Sequence, residues 1–220
     1  MPAKERARSV EARTRQGLDV YRRKRDFTRT PEPKARRTTM RGPLKFVVQK
    51  HRASALHYDF RLEAGGSLRS WAVPKGPSLD PRQRRLAMEV EDHPLEYASF
   101  EGVIPEGEYG GGTVMVWDEG VWMPMADVDP VRALESGELR FLLSGTKLKG
   151  SWTLVRTDDR RWLLMKRRDE YASSDDITET GARSVRTKRL LADIAREEGG
   201  DVAKAATGDP AKRRAAAKRA

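Results

Sequence analysis

Short apolar or alternating runs, separated by turn residues, dominate the chain from Lys45 onward. Gly, Pro, Asp or Ser marks most of the boundaries, and many short strands at this spacing are typical of all-β sandwiches and barrels. The predicted strands are Lys45–Gln49, His57–Glu63, Ser67–Pro74, Arg85–Glu91, Gly112–Asp118, Gly137–Ser144, Gly150–Arg156 and Trp162–Arg167. We therefore expect a mainly β fold, a compact β-barrel with a few short helices and basic, partly disordered termini.

The segments outside these strands predict three short helices and two tails. The helices are expected at Leu18–Asp26, Pro130–Ser136 and Val185–Glu197. Both ends of the chain lack an apolar stripe that a core would bury. The predicted parts are a disordered N-terminal extension over 1–17, a barrel domain over 18–197 that includes an N-terminal arm over 18–45, and a disordered Lys/Arg/Ala tail over 198–220.

The net charge of +11 is concentrated at the two ends. Residues 1–45 carry 15 Lys/Arg against 5 Asp/Glu, and residues 183–220 carry 11 against 5. The body between them has 18 basic and 23 acidic residues. Basic arms on a folded body are a common footprint for a polyanion such as nucleic acid, although solvated tails have the same composition.

The composition excludes several classes of protein. With no cysteine, the chain has no disulfide framework, no zinc ribbon and no thiol nucleophile. No apolar run approaches the roughly 18 residues of a membrane span, and the charged N-terminus lacks the apolar core of a secretory signal. We expect a soluble, cytoplasmic protein that does not contact the membrane.

The strongest candidate chemistry lies on one face of the second predicted strand. A strand alternates its side chains, so His57 and Asp59 share a face with Arg61, and Tyr58 lies on the other face. His57 and Asp59 could hold one divalent ion, with His51 supplying a third ligand from the preceding turn. An ordinary polar face of a half-solvated strand has the same alternation, and the strand pattern alone favours it.

Further residues change this balance. Arg61 offers a planar fork of donors that matches phosphate oxygens. His93, at a sheet margin before Pro94, could donate to phosphate or shuttle a proton, or be a surface histidine in a turn. The glycines of 101–112 lack the Gly-Lys-Ser/Thr of a phosphate loop and more simply supply positive φ between strands. The five tryptophans are expected in the core.

Longer motifs resemble the 3′-phosphoesterase domain of bacterial DNA ligase D. The resemblance runs from about Arg25 to Leu191. It is carried by Phe46–His51, Leu56–Glu63, Ser70–Ser78, Glu91–Tyr97, Phe100–Pro105 and Gly107–Gly110. The family implies a compact β-barrel enzyme that uses a divalent metal, typically Mn²⁺ with Co²⁺ as an alternative, to heal DNA 3′ ends. Such enzymes remove a 3′-terminal ribonucleoside and then the 3′-phosphate, leaving a 3′-hydroxyl.

The resemblance also assigns roles to individual residues. It implies that the metal ligands are His51, His57 and Asp59. It implies contacts to the reacting phosphate from Arg61, His93 and Gln49, with Tyr97 as a further active-site residue. The family's functional N-terminal segment is matched by Arg25, Asp26, Phe27, Glu32 and Pro33.

The same resemblance sets expectations about context. The chain has no Lys-x-Asp-Gly adenylation motif and is too short for a ligase or polymerase domain, so we interpret it as a stand-alone version. Expected partners are DNA or primer-template 3′ ends, including 3′-ribonucleotide ends, with a separate ligase, polymerase or Ku protein, in a nucleoid-associated location. Two rivals stay open: a non-catalytic DNA-end-binding module, and an iron oxygenase with His57, Asp59 and His93 as ligands.

Overall fold

Eight antiparallel strands close into a barrel, and a ninth, short strand pairs with one of these eight. The computed structural model describes residues 18–34 and 42–211. The strands are β1 Lys45–Arg52, β2 Leu56–Ala64, β3 Ser67–Val73, β4 Arg85–Glu89, β5 Gly102–Ile104, β6 Gly112–Pro124, β7 Glu138–Gly145, β8 Lys149–Arg156 and β9 Arg161–Lys166. The barrel order is β1-β2-β3-β4-β9-β8-β7-β6, closed by pairing of β6 with β1, and β5 pairs with β6. The mainly β barrel is confirmed.

Short helices connect and cover the strands. In the described part of the chain they are α1 over residues 18–23, a 3₁₀ helix Leu95–Ser99, α2 Pro130–Ser136, α3 Ile177–Thr180, α4 Leu191–Glu197 and α5 Val202–Ala206. Asp129 caps α2 by accepting the Arg132 N–H, and Gly137 ends it in the left-handed conformation. Among the described residues, no helix combines the length and apolar character that a membrane crossing requires.

The barrel interior is filled by apolar side chains from alternate positions of the strands. On β2 these are Tyr58, Phe60 and Leu62, each at most 3% exposed. All five tryptophans are buried, which confirms their predicted place in the core. Helices α4 and α5 contribute to the same core, so the C-terminal region completes the barrel.

A second layer covers the outer face of β1, β2 and β6. It is built around Tyr21 of α1, Leu95 and Tyr97 of the 3₁₀ helix, and Ile104 of β5, which pack in one apolar cluster on the barrel wall. This layer buries the outer face of β2, where Asp59 is 7% exposed. The alternation of β2 is as predicted, but neither of its faces is solvated.

Four details of the sequence prediction are corrected. Strand β1 continues through Arg52, because β2 and β6 both pair with it along its length. The three-residue β5 was not predicted. The expected helix Val185–Glu197 begins only at Leu191. Strand β6 runs on to Pro124, since β1 and then β7 pair with its second half.

A fifth correction concerns the tail that was expected to be disordered from residue 198. Residues 198–211 are ordered against the barrel, and Ala205 of α5 is 1% exposed. The Asp209 carboxylate accepts the N–H groups of Leu191 and Ala192 at 3.0 and 2.9 Å, which fastens this segment to the start of α4. The expectations for residues 1–17 and 212–220 lie outside the described residues.

Candidate metal and phosphate site

Strand pairing on the outer barrel face brings the predicted metal ligands together. In the register of β1 and β2, His51 lies opposite His57, and Gln49 lies opposite Asp59. One ligand atom from each of His51, His57 and Asp59 lies within 4.8 Å of the others. The structure thus groups the three predicted ligands, although His51 comes from strand β1 and not from a turn.

Backbone carbonyls orient both imidazoles toward the Asp59 carboxylate. His51 places Nε2 2.8 Å from the Gly110 carbonyl oxygen and Nδ1 3.5 Å from Asp59 Oδ2. His57 places Nδ1 3.1 Å from the Ala55 carbonyl oxygen and Nε2 3.7 Å from the same Oδ2. A carbonyl only accepts, so each neutral ring donates its single N–H there and turns its lone pair toward Asp59. This is how protein backbones prepare histidines as metal ligands.

The electrostatics of these groups favour their ligating forms. Burial alone would raise the pKa of Asp59, but the charge of the Arg61 guanidinium outweighs it and holds that pKa well below its usual range. Burial lowers the pKa of His57 by more than the Asp59 charge raises it. An ionised carboxylate and a neutral imidazole are the forms that bind metal ions.

The geometry and donor set fit a divalent metal ion. Two ligand atoms about 2.1 Å from one ion at a tetrahedral angle lie about 3.4 Å apart, close to the two His–Asp separations of 3.5 and 3.7 Å. A cation among the three atoms would satisfy two imidazole lone pairs and a carboxylate at once. Two imidazoles with one carboxylate suit manganese, iron, cobalt or zinc better than calcium.

Arg61 joins this cluster to a buried polar network. Its Nη2 lies 3.2 Å from Asp59 Oδ2, and its Nε donates to Gln49 Oε1 at 2.8 Å. Its Nη1 donates to Ser70 Oγ at 2.8 Å. Gln49 is held in turn, because its Nε2 donates to two carbonyl oxygens of the 3₁₀ helix region. The guanidinium therefore has one fixed orientation beside the candidate metal ligands.

His93 lies on the far side of Arg61 from the candidate metal ligands. Its Nδ1 lies 2.9 Å from the Glu91 carbonyl oxygen and 3.0 Å from Arg61 Nη1, and its Nε2 faces Arg25 Nη2 at 3.3 Å. Burial, with the charges of Arg61 and Arg25, lowers its pKa well below the usual value. His93 is therefore a buried neutral imidazole and not a surface histidine. It is absent from the described metal-ligand group, which contains His51 instead.

The N-terminal arm folds over the site and supplies a second arginine. Arg25 Nε donates to Glu32 Oε1 at 2.9 Å, and its guanidinium stacks 3.8 Å from the centre of the Tyr21 ring. Tyr97 O–H donates to the same Glu32 oxygen at 3.0 Å, and burial followed by the Glu32 charge raises the pKa of Tyr97 well above its usual value. The predicted residues Arg25, Glu32 and Tyr97 thus form one buried cluster against His93.

Three residues of the predicted segment have other positions. Asp26 is exposed, and its carboxylate accepts from the N–H and hydroxyl of Thr28, so it is not brought to the cluster. Phe27 packs on Tyr21, and the Pro33 carbonyl accepts the Tyr21 hydroxyl at 2.7 Å. These contacts fix the path of the arm. Roles in catalysis for all of these residues stay predictions.

Sequence reasoning missed a network of ion pairs and hydrogen bonds at the rim of the site, which links Arg25 to Glu91, Lys24 and Tyr109. Glu91 lies 3.4 Å from Arg25 Nη1 and 3.0 Å from Lys24 Nζ, and Lys24 also donates to the Tyr109 hydroxyl at 3.0 Å. Glu91 belongs to the quoted motif that contains His93, and its position two residues before that histidine was the available signal. Lys24 and Tyr109 are 85 residues apart, so only the fold brings them together.

Glycines shape the loop that holds His51. Gly107, Gly110 and Gly112 have φ of 88°, 80° and 150°, as expected for the glycines of this segment. A Cβ on Gly112 would lie 2.2 Å from the Arg52 carbonyl oxygen, so only glycine allows β6 to start this close to the end of β1. This close approach brings the Gly110 carbonyl to His51.

Together, fold and site define a class: an antiparallel β-barrel protein with a His-His-Asp cluster and buried arginines on its outer wall. Residues 49–156 match the DNA ligase D 3′-phosphoesterase domain, and over this range the chain belongs to that family.

Curated relatives carry this domain within much longer proteins. The multifunctional non-homologous end joining protein LigD of Pseudomonas aeruginosa is 56% identical over 165 residues, which cover 72% of this chain and 19% of the relative. The LigD repair protein of Mycobacterium tuberculosis is 45% identical over 156 residues, 70% of this chain and 20% of its own length. The LigD protein of Mycolicibacterium smegmatis is 40% identical over 162 residues, which cover 70% of this chain and 21% of the relative. The chain thus spans about a fifth of these relatives.

Proposed function

We propose that this chain is a metal-dependent phosphoesterase that heals DNA 3′ ends. It removes 3′-terminal ribonucleosides as a phosphodiesterase and 3′-phosphates as a phosphomonoesterase, and both reactions lead to a 3′-hydroxyl. Mn²⁺ is the proposed metal, with Co²⁺ as an alternative, because two imidazoles and a carboxylate suit such ions. The proposal goes beyond membership of the family.

One observation carries the proposal: both candidate histidine ligands and the proposed phosphate-binding arginine lie close to the same carboxylate oxygen of Asp59. Asp59 Oδ2 lies 3.5 Å from His51, 3.7 Å from His57 and 3.2 Å from Arg61 Nη2. A phosphate bound at the metal site would therefore lie beside the guanidinium. Positive charge on two sides of one phosphate is what phosphoryl transfer requires, because negative charge develops on its oxygens.

A bound divalent metal would supply Lewis acidity toward a phosphate oxygen and lower the pKa of a bound water. The protein's own residues position and desolvate the phosphate. Arg61 has five N–H groups, and Gln49, Ser70, His93 and Asp59 lie within reach of four of them, so one N–H is left for substrate. The buried layer of Tyr21 and Tyr97 strengthens each of these interactions by excluding water.

Arg25 extends the positive surface that faces the phosphate. It lies 3.3 Å from His93 Nε2, and it is held by Glu32 and by the Tyr21 ring. We assign Arg61 to phosphate contact, and Gln49, Glu32 and Tyr97 to positioning, since their polar groups are engaged within the protein. Both ring nitrogens of His93 also face protein groups, so its contact with the phosphate stays a prediction. A direct contact from Gln49 or Tyr97 to substrate stays a prediction.

The biological setting is also a proposal. The relatives are named for non-homologous end joining, and we propose that this chain processes 3′ ends in the same kind of repair. Its substrates would be primer-template ends with a 3′-phosphate or a 3′-ribonucleotide. A separate DNA ligase, a polymerase or Ku would act on the same ends.

The direct test is a 3′-phosphate primer-template incubated with the protein, with and without Mn²⁺. We expect phosphate release only with metal, and Asp59→Asn should abolish both Mn²⁺ binding and release because it removes the shared charge. Glu138→Gln is the matched control and should behave as wild type, because Glu138 is an exposed carboxylate that pairs with Arg140 outside the cluster. Binding of DNA without any product under these conditions would support a non-catalytic end-binding module and refute the proposal.

A further inference from the structure

A second cationic site lies away from the cluster described above. A cavity of about 400 Å³ opens between the turn that joins β7 to β8 and the segment 180–190. Its charged lining residues are Lys147, Arg183 and Lys188, and no Asp or Glu lines it among the described residues. Lys147 is half-buried, whereas Arg183 and Lys188 are exposed.

These three cations have carbonyl partners in place of carboxylates. Lys147 Nζ donates to the Arg183 carbonyl oxygen at 2.6 Å. Arg183 Nη1 donates to the Lys188 carbonyl oxygen at 2.9 Å, and Lys188 Nζ donates to that of Val185 at 3.0 Å. Within the described ranges, none of the three forms an ion pair. Each keeps N–H donors for a ligand.

Other arginines of the same segment are neutralised. Arg186 forms a two-pronged pair with Glu119, with a closest approach of 2.7 Å. Arg189 pairs with Glu101 at 3.1 Å and with Glu197 at 2.6 Å. The unneutralised charge of this basic segment is therefore concentrated on the side that faces the cavity.

The backbone of Lys188 is held in a conformation that lysine rarely adopts. Its φ is 63°, and it is the sole non-glycine residue with positive φ in the described part of the chain. Its N–H donates to the Ser184 carbonyl at 3.1 Å, and its own carbonyl accepts from Arg183. Glycine would make the same backbone bonds with less strain. Strain of this kind is typical of functional positions, where the side chain has a role.

The charge of Lys147 is also poorly compensated. Burial lowers its pKa to about 7, and the charges of Lys50 and Lys188 add to this effect against the opposing Asp118. Both Asp118 oxygens already accept backbone N–H groups from residues 146–148. An anion in the cavity would stabilise the ammonium form of Lys147.

We propose that this cavity binds a phosphate group through Lys147 and Lys188, with Arg183 at its edge, and that the phosphate belongs to the backbone of the DNA substrate. The DNA part of the proposal rests on the proposed function; inorganic phosphate shares the same chemistry. The sequence after Pro210 carries five Lys/Arg within residues 212–220, and a basic run of this kind favours a polyanion over a small anion.

The test measures binding of a 3′-hydroxyl primer-template over a range of salt concentration. Lys147→Met combined with Lys188→Gly should weaken binding several-fold and make the slope of log affinity against log salt shallower by about 0.9, the value for one duplex phosphate. Lys188→Gly keeps both backbone bonds, so its melting temperature should equal or exceed that of wild type. Arg186→Gln removes a neutralised charge from the same segment and should keep the wild-type slope.

Two further measurements separate the outcomes. Turnover at saturating 3′-phosphate DNA should be unchanged in the double variant, while KM rises. Calorimetry with inorganic phosphate measures whether the cavity binds a small anion. If the double variant loses phosphate binding but keeps the wild-type slope of log DNA affinity against log salt, the DNA assignment is refuted. Equal slopes and equal phosphate binding in wild type and double variant would overturn the site altogether. The binding test uses DNA with a 3′-hydroxyl, which has no 3′-phosphate to remove. A wild type without phosphatase activity would therefore refute the proposed function, but the result of the binding test would still be interpretable.

Discussion

Replacement of Arg61 by lysine tests whether the site needs a fork of donors or only a positive charge. An ammonium group at this position can keep the pair with Asp59, which is 3.2 Å away in the wild type. It cannot also reach Gln49 Oε1 and Ser70 Oγ, because the three bonds of Arg61 diverge from a planar guanidinium. The Gln49 oxygen would then be buried without a donor.

Arg61→Lys should have a modest effect on the free energy of unfolding and a large effect on turnover. A buried acceptor that loses its donor costs about 1–3 kcal/mol, which corresponds to a fall in melting temperature of about 2–12 °C for a chain of this size. Loss of an oriented donor to the phosphate costs about 10²- to 10³-fold in turnover. Arg61→Lys should therefore be folded and nearly inactive, and it should not rescue the activity of Arg61→Ala.

The assay is phosphate release from a 3′-phosphate primer-template at saturating substrate and metal, with melting curves on the same samples. Arg69→Lys is the matched control, since Arg69 lies on β3 and pairs with Glu89 and Asp92 at 3.1 Å each, outside the cluster. It should turn over as wild type. Near-normal turnover of Arg61→Lys would show that Arg61 acts only as a charge, and the reasoning from its geometry would be wrong.

Three further predictions follow from the fold. Burial and two arginines lower the pKa of His93, so the free energy of unfolding should fall as the pH drops below about 6.5, and urea titrations of His93→Gln should show a flatter acid limb. Gly112→Ala should destabilise the protein by about 1–3 kcal/mol more than Gly107→Ala, because a Cβ at position 112 meets a backbone carbonyl whereas a Cβ at position 107 meets open space. Denaturant unfolding of the two variants measures this difference. Deletion of residues 1–16 should leave turnover unchanged, whereas deletion of 1–35 should abolish it at saturating substrate; equal behaviour would reduce the arm to a tether.

The strands were largely predictable because each carries its own pattern. The alternation of His57–Glu63 fixes which side chains share a face, and the structure confirms it. Strand β5 was missed because three residues, Gly102–Ile104, are too few to show a period. Its pairing depends on β6, and no local signal reports that neighbour.

The grouping of His57, Asp59 and Arg61 was predictable for the same reason, but their environment was not. The alternation alone favoured a half-solvated polar face, and the structure buries that face under the arm and the 3₁₀ helix. Contacts such as Tyr97 O–H to Glu32 join residues 65 positions apart, which periodicity cannot report. Motif resemblance supplied Glu32 and Arg25, whereas Lys24 and Glu91 needed the fold.

The covering layer decides what the alternating face can do. On a solvated strand, the pair between Asp59 and Arg61 would contribute little, because water screens exposed charges. Buried under the arm, the same pair holds the Asp59 carboxylate ionised and fixes the guanidinium. The candidate metal ligands and Arg61 therefore depend on residues 18–34 as well as on the barrel. This dependence is why removal of the arm should abolish turnover itself, and not only weaken DNA binding.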